Sequence, residues 1–443
     1  MTAAPLRPQH PEPRTLGVLA DAFDLRPTDG TAPGWQDVSV RGVCSDDRRV
    51  GGGELFAAHA GARVHGARFV PAAVRAGAAA VLTDPDGAAL LAVDGPAGVP
   101  VLQHDDVPAV LGRVAAAVYG EPAETLGTFA VTGTNGKTTT AYLVDHALQA
   151  LGRSTGLVGT VEVRVAGRGV PAQLTTPQPA DLQALLAAMV EAGAQDLVME
   201  VSSHALAQGR VDPMVYDVAG FTNLTQDHLD FHRDIEEYYR AKASLFTPAR
   251  SRRGVVLVDD EWGRRLAARS GTCPLVTLSV AGDAADWQVT DVRTEGGTTF
   301  TVRHRDGRRL RTRTALPGGF NVANAALAAV MVVESGTPVE DLQAALDRAG
   351  GLSPQVPGRM EQLSDAPRVV VDFAHNPGAL AQALAALRPS TRGRLLVLVG
   401  SAGERDRANR PEMGRLAVEG ADVVVVTDDD PHDEPPEQIR AEV

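Results

Sequence analysis

The sequence lacks several features that would assign a chain to a specialised class. It has only two cysteines, Cys44 and Cys273, which predicts neither a disulfide framework nor a thiolate zinc site. Residues 1–15 contain four prolines and no apolar segment, so we expect no secretory signal peptide. No apolar run of about 18 residues or more occurs, which disfavours a membrane span. We therefore expect a cytoplasmic protein without a membrane partner.

Positive charge is also scarce. The net charge of −13 at pH 7 disfavours a nucleic-acid partner. The hydrophobic fraction of 44% and the charged fraction of 22% are typical of a globular protein. A length of 443 residues exceeds one ordinary core and predicts roughly two to four domains.

Apolar strands alternate with helical segments along most of the chain. This pattern predicts an α/β fold with a central, doubly wound and mainly parallel sheet. Residues 285–315 alternate polar and apolar side chains instead, which predicts a small antiparallel sheet. We expect a disordered tail over residues 1–14 and an N-terminal domain over 15–125. A central domain would cover 126–352, and a Rossmann-like C-terminal domain with an incomplete strand–helix pattern would cover 353–443.

The segment "GTNGKTT" (133–139) follows a predicted strand and opens a predicted helix. In that context backbone N–H groups and a helix N-terminus face an anion. Lys137 could reach the β- and γ-phosphates of a nucleotide, and the Thr138 hydroxyl could ligate Mg²⁺. Val131 stands where the general phosphate-loop pattern has its first glycine, so an ordinary glycine-rich turn is the alternative. The lysine, the threonines and the strand–loop–helix context favour ATP binding.

Three further polar residues stand at informative places. Glu200 ends the predicted strand "DLVME", where a carboxylate is either a solvated terminus or part of a polar site beside the phosphate loop. His228 follows another predicted strand within the polar segment "NLTQDHLDFH". Lys242 falls on an apolar helical face with Tyr238 and Tyr239. Such a lysine either extends its amine to solvent or has a function of its own.

Several motifs together resemble the Mur ligases, which form amide bonds at the expense of ATP in peptidoglycan synthesis. They are "GTNGKTTT", "EVSSHAL", "NLTQDHLDFH", "YYRAKASLF", "GGFNVANAALAA", "PGRME" and "VDFAHNP". The similarity covers about residues 37–443 and is greatest to the members that add the third amino acid to UDP-N-acetylmuramoyl-L-alanyl-D-glutamate. It implies an N-terminal domain that binds the UDP-linked substrate, a central ATPase domain, and a monomer.

The resemblance also implies roles for individual residues. The ATP-binding set would be Gly133, Thr134, Asn135, Gly136, Lys137, Thr138 and Thr139, with Asn321 and Asn324 near the adenosine, Arg359 on the phosphates, Asp372 on the ribose and His375 nearby. Magnesium would be held by Thr138, Glu200, His228 and a carbamylated Lys242, with Lys137 completing the catalytic set. Substrate contacts would come from Asp47, Thr175, Thr176, Ser202, Gln208, Arg210, Arg405, Asp429, Asp430 and His432.

The implied chemistry has two steps. ATP phosphorylates the substrate carboxylate, and the amino acid's α-amine then displaces phosphate from the acyl phosphate. Lys137, Arg359 and magnesium ions suit the charge that develops on a transferred phosphoryl group. Closure of the domains would keep water from the acyl phosphate.

The sequence departs from the family at both substrate ends. Asp47 replaces the serine of an Asp-Ser-Arg signature. The diaminopimelate-adding members carry Asp-Asn-Pro-Arg where this chain has Asp429-Asp430-Pro431-His432. Loss of a guanidinium and gain of a carboxylate favour a cationic group over an anionic one. We therefore expect L-lysine, or another basic amino acid such as ornithine, as the added residue.

Two alternatives to this interpretation stay open. The chain could be a related ligase that joins another carboxylate and amine in specialised metabolism, or a catalytically idle nucleotide-binding relative. The family's "GKGHE"-like segment is absent before Val443, which fits either a chain that continues further or an altered amino-acid pocket.

Overall fold

The computed structural model describes residues 6–61, 63–94, 98–294, 297–404 and 407–443. The chain forms two compact units. The first unit comprises Met1–Thr128, Ser154–Leu197 and Ala205–Val215, and the second comprises Phe129–Arg153, Val198–His204 and Tyr216–Val443. Because the chain passes between the units more than once, the predicted domain boundaries stay a prediction. In the described part of the chain, no helix is long and apolar enough to cross a membrane.

The N-terminal part of the first unit contains a five-stranded sheet with helices on its faces and a separate two-stranded sheet. Its strands are β1 (Arg14–Thr15), β2 (Arg26–Pro27), β3 (Ser39–Val40), β4 (Val43–Cys44), β5 (Leu55–Ala58), β6 (Ala80–Thr83) and β7 (Val101–Gln103), and its helices are α1 (Leu16–Phe23), α2 (Val70–Arg75), α3 (Pro85–Asp94) and α4 (Val107–Val118). The sheet order is β2-β7-β6-β5-β4, with β2 antiparallel to β7 and the others parallel, while β1 pairs with β3.

Strand β5 shows why this sheet is covered on both faces. Leu55 and Ala57 belong to the core that includes α1 and α4, whereas Phe56 and Ala58 belong to the core that includes α2. Successive side chains of a strand point to opposite faces, so an unbroken apolar run indicates a doubly buried strand.

The disordered tail expected over residues 1–14 stays a prediction, although residues 6–14 make several polar contacts. Arg7 pairs with the buried carboxylate of Glu54, and the backbone N–H groups of Gln9 and His10 donate to Glu191 at 2.6 and 2.8 Å. Strand β1 begins at Arg14. Proline content indicated disorder, whereas these contacts join the segment to residues far along the chain.

The middle of the chain carries the larger sheet. Its strands are β8 (Gly127–Thr132), β9 (Thr155–Val158), β10 (Glu162–Val165), β11 (Arg168–Pro171), β12 (Asp196–Glu200), β13 (Tyr216–Phe221), β14 (Ser251–Leu257), β15 (Leu275–Ser279), β16 (Trp287–Arg293), β17 (Thr298–His304) and β18 (Arg309–Thr314). Its helices are α5 (Lys137–Ala150), α6 (Pro179–Glu191), α7 (Ser203–Ala207), α8 (Ile235–Ala243), α9 (Glu261–Ala267), α10 (Gly319–Glu334) and α11 (Val339–Ala349).

In the second unit the strand order is β12-β8-β13-β14-β15-β16-β17-β18. Strands β8, β13, β14, β15 and β16 pair in parallel, and β16, β17 and β18 pair antiparallel, as the sequence predicted. Helix α10 is buried along most of its length and packs against α5, β13 and β14. Because the carboxyl ends of parallel strands share one edge, the loops after β8, β12 and β13 lie close together.

The C-terminal part of the second unit has two small sheets. Its elements are β19 (Glu361–Asp365), β20 (Arg368–Val371), α12 (Pro377–Leu387), β21 (Leu396–Val399), α13 (Asn409–Gly420), β22 (Val423–Val426) and α14 (Pro436–Glu442). Strands β19 and β20 form an antiparallel hairpin, whereas β21 and β22 pair in parallel. Leu380, Leu384, Met413 and Ala417 of α12 and α13 pack with Val399 in one core.

Candidate active site

The loop between β8 and α5 carries the predicted phosphate-binding sequence. Gly133 and Gly136 have φ angles of 150° and 89°, which disfavour any side chain. A Cβ at Gly133 would lie 1.9 Å from the Thr222 hydroxyl, and one at Gly136 would lie 2.4 Å from Asn324 Oδ1. Glycine is therefore required at both positions. The loop leads into the N-terminus of α5 at Lys137, where unpaired N–H groups favour an anion.

Two lysine side chains meet at one carbonyl of this loop. Lys137 Nζ donates to Gly133 O at 3.0 Å and to Thr134 O at 2.8 Å. Lys242 Nζ donates to the same Gly133 O at 2.6 Å. Of the 42 lysine and arginine residues in the sequence, only these two are lysines. The chain thus has its two primary side-chain amines at a single place in the fold.

Lys242 lies on the buried face of α8, which confirms the predicted position of its side chain on an apolar stripe. It is 1% exposed, and its Nζ lies 4.5 Å from the centroid of the Tyr238 ring. Burial, and then the neighbouring charge of Lys137, lower the pKa of Lys242 well below its usual value. The lowered pKa makes the neutral, nucleophilic form of this amine more accessible than in an exposed lysine.

Thr138, Glu200 and Arg359 come together at the start of α5. The Thr138 hydroxyl donates to Glu200 Oε2 at 3.0 Å, and Arg359 Nη2 donates to Thr138 Oγ1 at 3.1 Å. Glu200 is 1% exposed at the end of β12, so its carboxylate is part of a buried polar site and not a solvated strand end. The Arg359 guanidinium lies 4.5 Å from the Phe373 ring centroid.

The oxygen atoms of this group suit magnesium. Mg²⁺ prefers hard oxygen ligands, and Thr138 and Glu200 offer a hydroxyl and a carboxylate in direct contact. Within the described residues, no group of three or more His, Cys, Asp or Glu side chains is arranged to hold a metal ion. The predicted magnesium site differs from such a cluster, since it uses a threonine and a modified lysine besides Glu200 and His228.

Asp227 is a site residue that the sequence reasoning missed. Its Oδ1 accepts the His228 N–H at 2.8 Å, and its Oδ2 lies 3.6 Å from His375 Nε2. Burial opposes ionisation, but the His375 hydrogen bond and surrounding cationic groups hold the pKa of the Asp227 carboxyl well below its usual range. Burial lowers the pKa of His228 to about 3, so its imidazole is neutral, the form that ligates metals. The signal for Asp227 was its place directly before His228.

Asn376 was also missed, although it connects the C-terminal part to the phosphate loop. Its Nδ2 donates to Asn135 Oδ1 at 3.1 Å and to Asp227 Oδ2 at 3.4 Å, and its Oδ1 caps α12 by accepting the Ala379 N–H. Asn135 is held further by Asn223 Oδ1, which accepts its N–H at 3.0 Å. The asparagine in "AHNP" directly after His375 was the available signal.

The predicted adenosine residues lie on α10. Asn324 Nδ2 donates to Asn321 Oδ1 at 3.1 Å, and Thr140 of α5 donates to Asn324 Oδ1 at 3.3 Å. Thr139 is buried in the first turn of α5. The predicted ribose ligand, Asp372, accepts the N–H groups of Met360 and Ala374, and burial raises its pKa.

Three predicted substrate residues meet in the first unit. The Arg210 guanidinium donates to Thr176 O at 3.2 Å and, through Nε and Nη2, to Gln208 Oε1 at 2.9 and 2.6 Å. Thr175 exchanges a hydroxyl hydrogen bond with Thr160 at 3.1 Å. Arg210 is thus held in one orientation by the two groups beside it.

The remaining predicted substrate residues are spread along the chain. Asp47 begins a 3₁₀ turn, Asp47–Arg49, next to the ion pair between Asp46 and Arg48. Ser202 lies two residues after β12, in the second unit. Arg405 lies outside the described residues. Asp429 and Asp430 are exposed after β22, and His432 has a φ of 49° with its Nε2 3.7 Å from Asp430 Oδ2.

Three family descriptions match this chain in order. "Mur ligase family, catalytic domain" matches residues 39–119, "Mur ligase middle domain" matches 131–332, and "Mur ligase, glutamate ligase domain" matches 358–443. With the phosphate loop and the Thr138–Glu200–Arg359 group, these matches define the class. The chain belongs to the Mur ligase family and is an ATP-dependent ligase.

Among similar proteins, one from Streptomyces coelicolor named UDP-N-acetylmuramoyl-L-alanyl-D-glutamate–2,6-diaminopimelate ligase is 45% identical over 441 residues, 99% of this chain and 84% of that relative. A UDP-N-acetylmuramyl-tripeptide synthetase from Leifsonia xyli is 45% identical over 98% of this chain and 84% of its own length. A solved structure of a UDP-N-acetylmuramoyl-L-alanyl-D-glutamate–2,6-diaminopimelate ligase superposes with a TM-score of 0.69 and 28% identity, over 97% of this chain and 85% of that one.

Proposed function

We propose that this enzyme adds an amino acid to UDP-N-acetylmuramoyl-L-alanyl-D-glutamate in peptidoglycan synthesis. The observation that carries the proposal is the site around Gly133, where Lys137, Lys242, Thr138, Glu200 and Arg359 form one connected group in a chain 45% identical to ligases of that name. We further propose that it acts in the cytoplasm, because ATP and a UDP-linked precursor would be its substrates. We also propose that it acts as a monomer.

The side chains support a two-step reaction. Lys137 and Arg359 would move onto the γ-phosphate of ATP and neutralise its charge while the glutamate carboxylate attacks phosphorus. The products of this step are ADP and an acyl phosphate. The α-amine of the amino acid then attacks the acyl carbon, the C–O bond to phosphate breaks, and the amine proton passes to a base or to solvent. An amide and inorganic phosphate result.

Magnesium would be held by Thr138, Glu200, His228 and carbamylated Lys242. When bound, it would lower the negative charge that the incoming carboxylate meets. The burial of Lys242 and its lowered pKa support the carbamate, because both favour the neutral amine that combines with carbon dioxide. Asp227 and Asn376 would act by fixing His228, His375 and Asn135.

For the added amino acid we propose a basic residue, L-lysine or ornithine. The support is the exposed pair Asp429 and Asp430 with His432 in place of an arginine, an arrangement that attracts an ammonium and offers no bidentate partner to a carboxylate. Diaminopimelate is the second candidate, and the observation in its favour is the 45% identity to the Streptomyces diaminopimelate ligase.

One assay separates these possibilities. Purified enzyme, ATP, Mg²⁺ and the UDP-muramoyl-dipeptide are mixed with L-lysine, L-ornithine or meso-diaminopimelate, and phosphate release is measured. Release with lysine or ornithine supports the basic residue, and release with diaminopimelate alone overturns the charge argument. No release with any amine overturns the proposed function and favours a ligase of specialised metabolism. Lys137→Met serves as the inactive control.

A further inference from the structure

The acidic segment 427–436 contains five carboxylates that differ in their surroundings. Asp428 forms an ion pair with Arg440, and Glu434 forms one with Arg410. Asp429, Asp430 and Asp433 are exposed. Two carboxylates near the ends of the segment are therefore held by arginines, and the three between them, including the central pair Asp429 and Asp430, are exposed.

Arg410 is the most buried charged group of this region, with a side-chain exposure of 0%. Its Nη1 donates to Glu434 Oε2 at 2.9 Å and its Nη2 to Glu434 Oε1 at 3.0 Å, which makes the pair bidentate. Nη2 also donates to Ala402 O at 3.2 Å, and Nη1 to the Glu442 carboxylate of α14. One guanidinium thus joins the start of α13 to three other segments.

Glu434 also accepts a backbone hydrogen bond, which supports a role in holding the acidic segment in position. Its Oε1 accepts the backbone N–H of Glu404 at 2.6 Å, so the carboxylate connects Arg410 to the segment 400–404. Arg410 and this N–H lower the pKa of Glu434 to about 2. The carboxylate is therefore ionised throughout the range in which the protein would be assayed.

The segment 400–404 packs against the acidic segment without space for a side chain. Gly403 N donates to Asp430 O at 2.8 Å, and a Cβ on Gly403 would lie 1.9 Å from Pro431 O. A Cβ on Gly400 would lie 2.9 Å from Thr427 O. The backbone around Asp429 and Asp430 is therefore fixed from two sides, by glycine contacts and by the Arg410–Glu434 pair.

We infer that Arg410 is a positioning residue for amino-acid selection. Its guanidinium holds Glu434, and Glu434 holds the acidic segment against residues 400–404, so that the carboxylates of Asp429 and Asp430 keep a fixed spacing for a ligand ammonium. This inference rests on the proposed function. A buried ion pair contributes specificity of position more than net stability, and loss of one partner leaves an unpaired buried charge.

The test uses Glu434→Gln and Arg410→Lys in the full chain, with Arg440→Gln as the matched control for an exposed ion pair. We expect Glu434→Gln and Arg410→Lys to raise the KM for the accepted amine by about tenfold, comparable to the loss of other supporting contacts. The KM values for ATP and for the UDP-dipeptide stay within about twofold, as do all values for the control. Equal increases in all three KM values would overturn the inference, because they indicate a general structural defect.

Hydrogen–deuterium exchange of the amides in 427–436, without any substrate, gives a readout independent of turnover. We expect faster exchange there in Glu434→Gln and Arg410→Lys, and unchanged exchange in Arg440→Gln. Unchanged exchange in Glu434→Gln would overturn the positioning role even if the KM changed. If the wild type turns over no amine, the proposed function and the selecting role both fail, whereas the exchange still decides whether Arg410 holds the segment.

Discussion

The phosphate loop and the acidic segment 427–436 both follow parallel strands, yet their polar groups are held in opposite ways. In the phosphate loop, Lys242 and Glu200 are buried and the charged groups contact the loop or each other. In the acidic segment, the buried Arg410 holds one end, an exposed ion pair lies at the other, and the central carboxylates are exposed. Side chains that contact the phosphates of ATP can be held in position before ATP binds. Side chains that bind an amino acid from solvent stay exposed until that amino acid covers them.

The largest effect should come from the phosphate loop. Lys137→Met removes the amine that would meet the phosphates, and we expect amine-dependent phosphate release to fall by about 10³-fold. The methionine fills similar space, so the thermal unfolding midpoint should stay within a few degrees. Activity within tenfold of the wild type would contradict the role of Lys137 and weaken the contrast between the two regions.

Lys242→Ala should lower activity by about 10²-fold, because it removes the buried amine and any carbamate on it. Bicarbonate in excess should not restore the variant. In the wild type, ¹³C-labelled bicarbonate should give one carbamate signal in NMR, absent from Lys242→Ala. Lys242→Arg is the matched control, since it keeps a long basic side chain that cannot be carbamylated, and it too should be inactive. Near-normal activity of either variant would exclude the carbamate.

An intermediate effect is expected in the acidic segment, which would contact the added amino acid. The double variant Asp430→Asn with His432→Arg removes one carboxylate and supplies a guanidinium. We expect kcat/KM for diaminopimelate to rise about tenfold relative to that for lysine, since a bidentate arginine–carboxylate pair is a strong and specific contact. The ratio of the two kcat/KM values, measured at fixed ATP, checks this. An unchanged ratio would show that residues 430 and 432 do not select the amine.

The smallest effect should come from Asp433→Asn. Asp433 is exposed and lies outside the central pair, so we expect every kinetic value within twofold and a change in the free energy of unfolding of about 0.5 kcal/mol or less. Urea unfolding and the same kinetic series provide the measurement. A tenfold rise in the KM for the amine would show that Asp433 contributes to amine binding as Asp429 and Asp430 do. It would contradict the distinction between Asp433 and the central pair.

Local patterns sufficed to predict much of the fold. The apolar run before "GTNGKTT" predicted β8, the alternation in 285–315 predicted β16 to β18, and helical spacing placed Lys242 on the apolar stripe of α8. Each of these features depends on residues close together in sequence. Periodicity therefore reports them directly.

Contacts between distant residues could not be predicted in the same way. Asn376 and Asn135 are 241 residues apart, and neither periodicity nor composition connects an asparagine after β20 with the phosphate loop. Arg7 and Glu54 give a second case, because the prolines around Arg7 indicated disorder and did not indicate this ion pair. The missed site residues, Asp227 and Asn376, also stand in quoted motifs, but the contact between them joins residues 149 positions apart, which no local pattern reports.

The restriction of lysine to two positions has a practical consequence for following the enzyme in solution. A protease that cleaves after lysine has just two sites in the chain, at the first residue of α5 and within the buried face of α8. Neither peptide bond can enter a protease active site while its helix is intact. Digestion into three fragments would therefore report the local opening of the phosphate loop region, and added nucleotide should slow it in proportion to its occupancy.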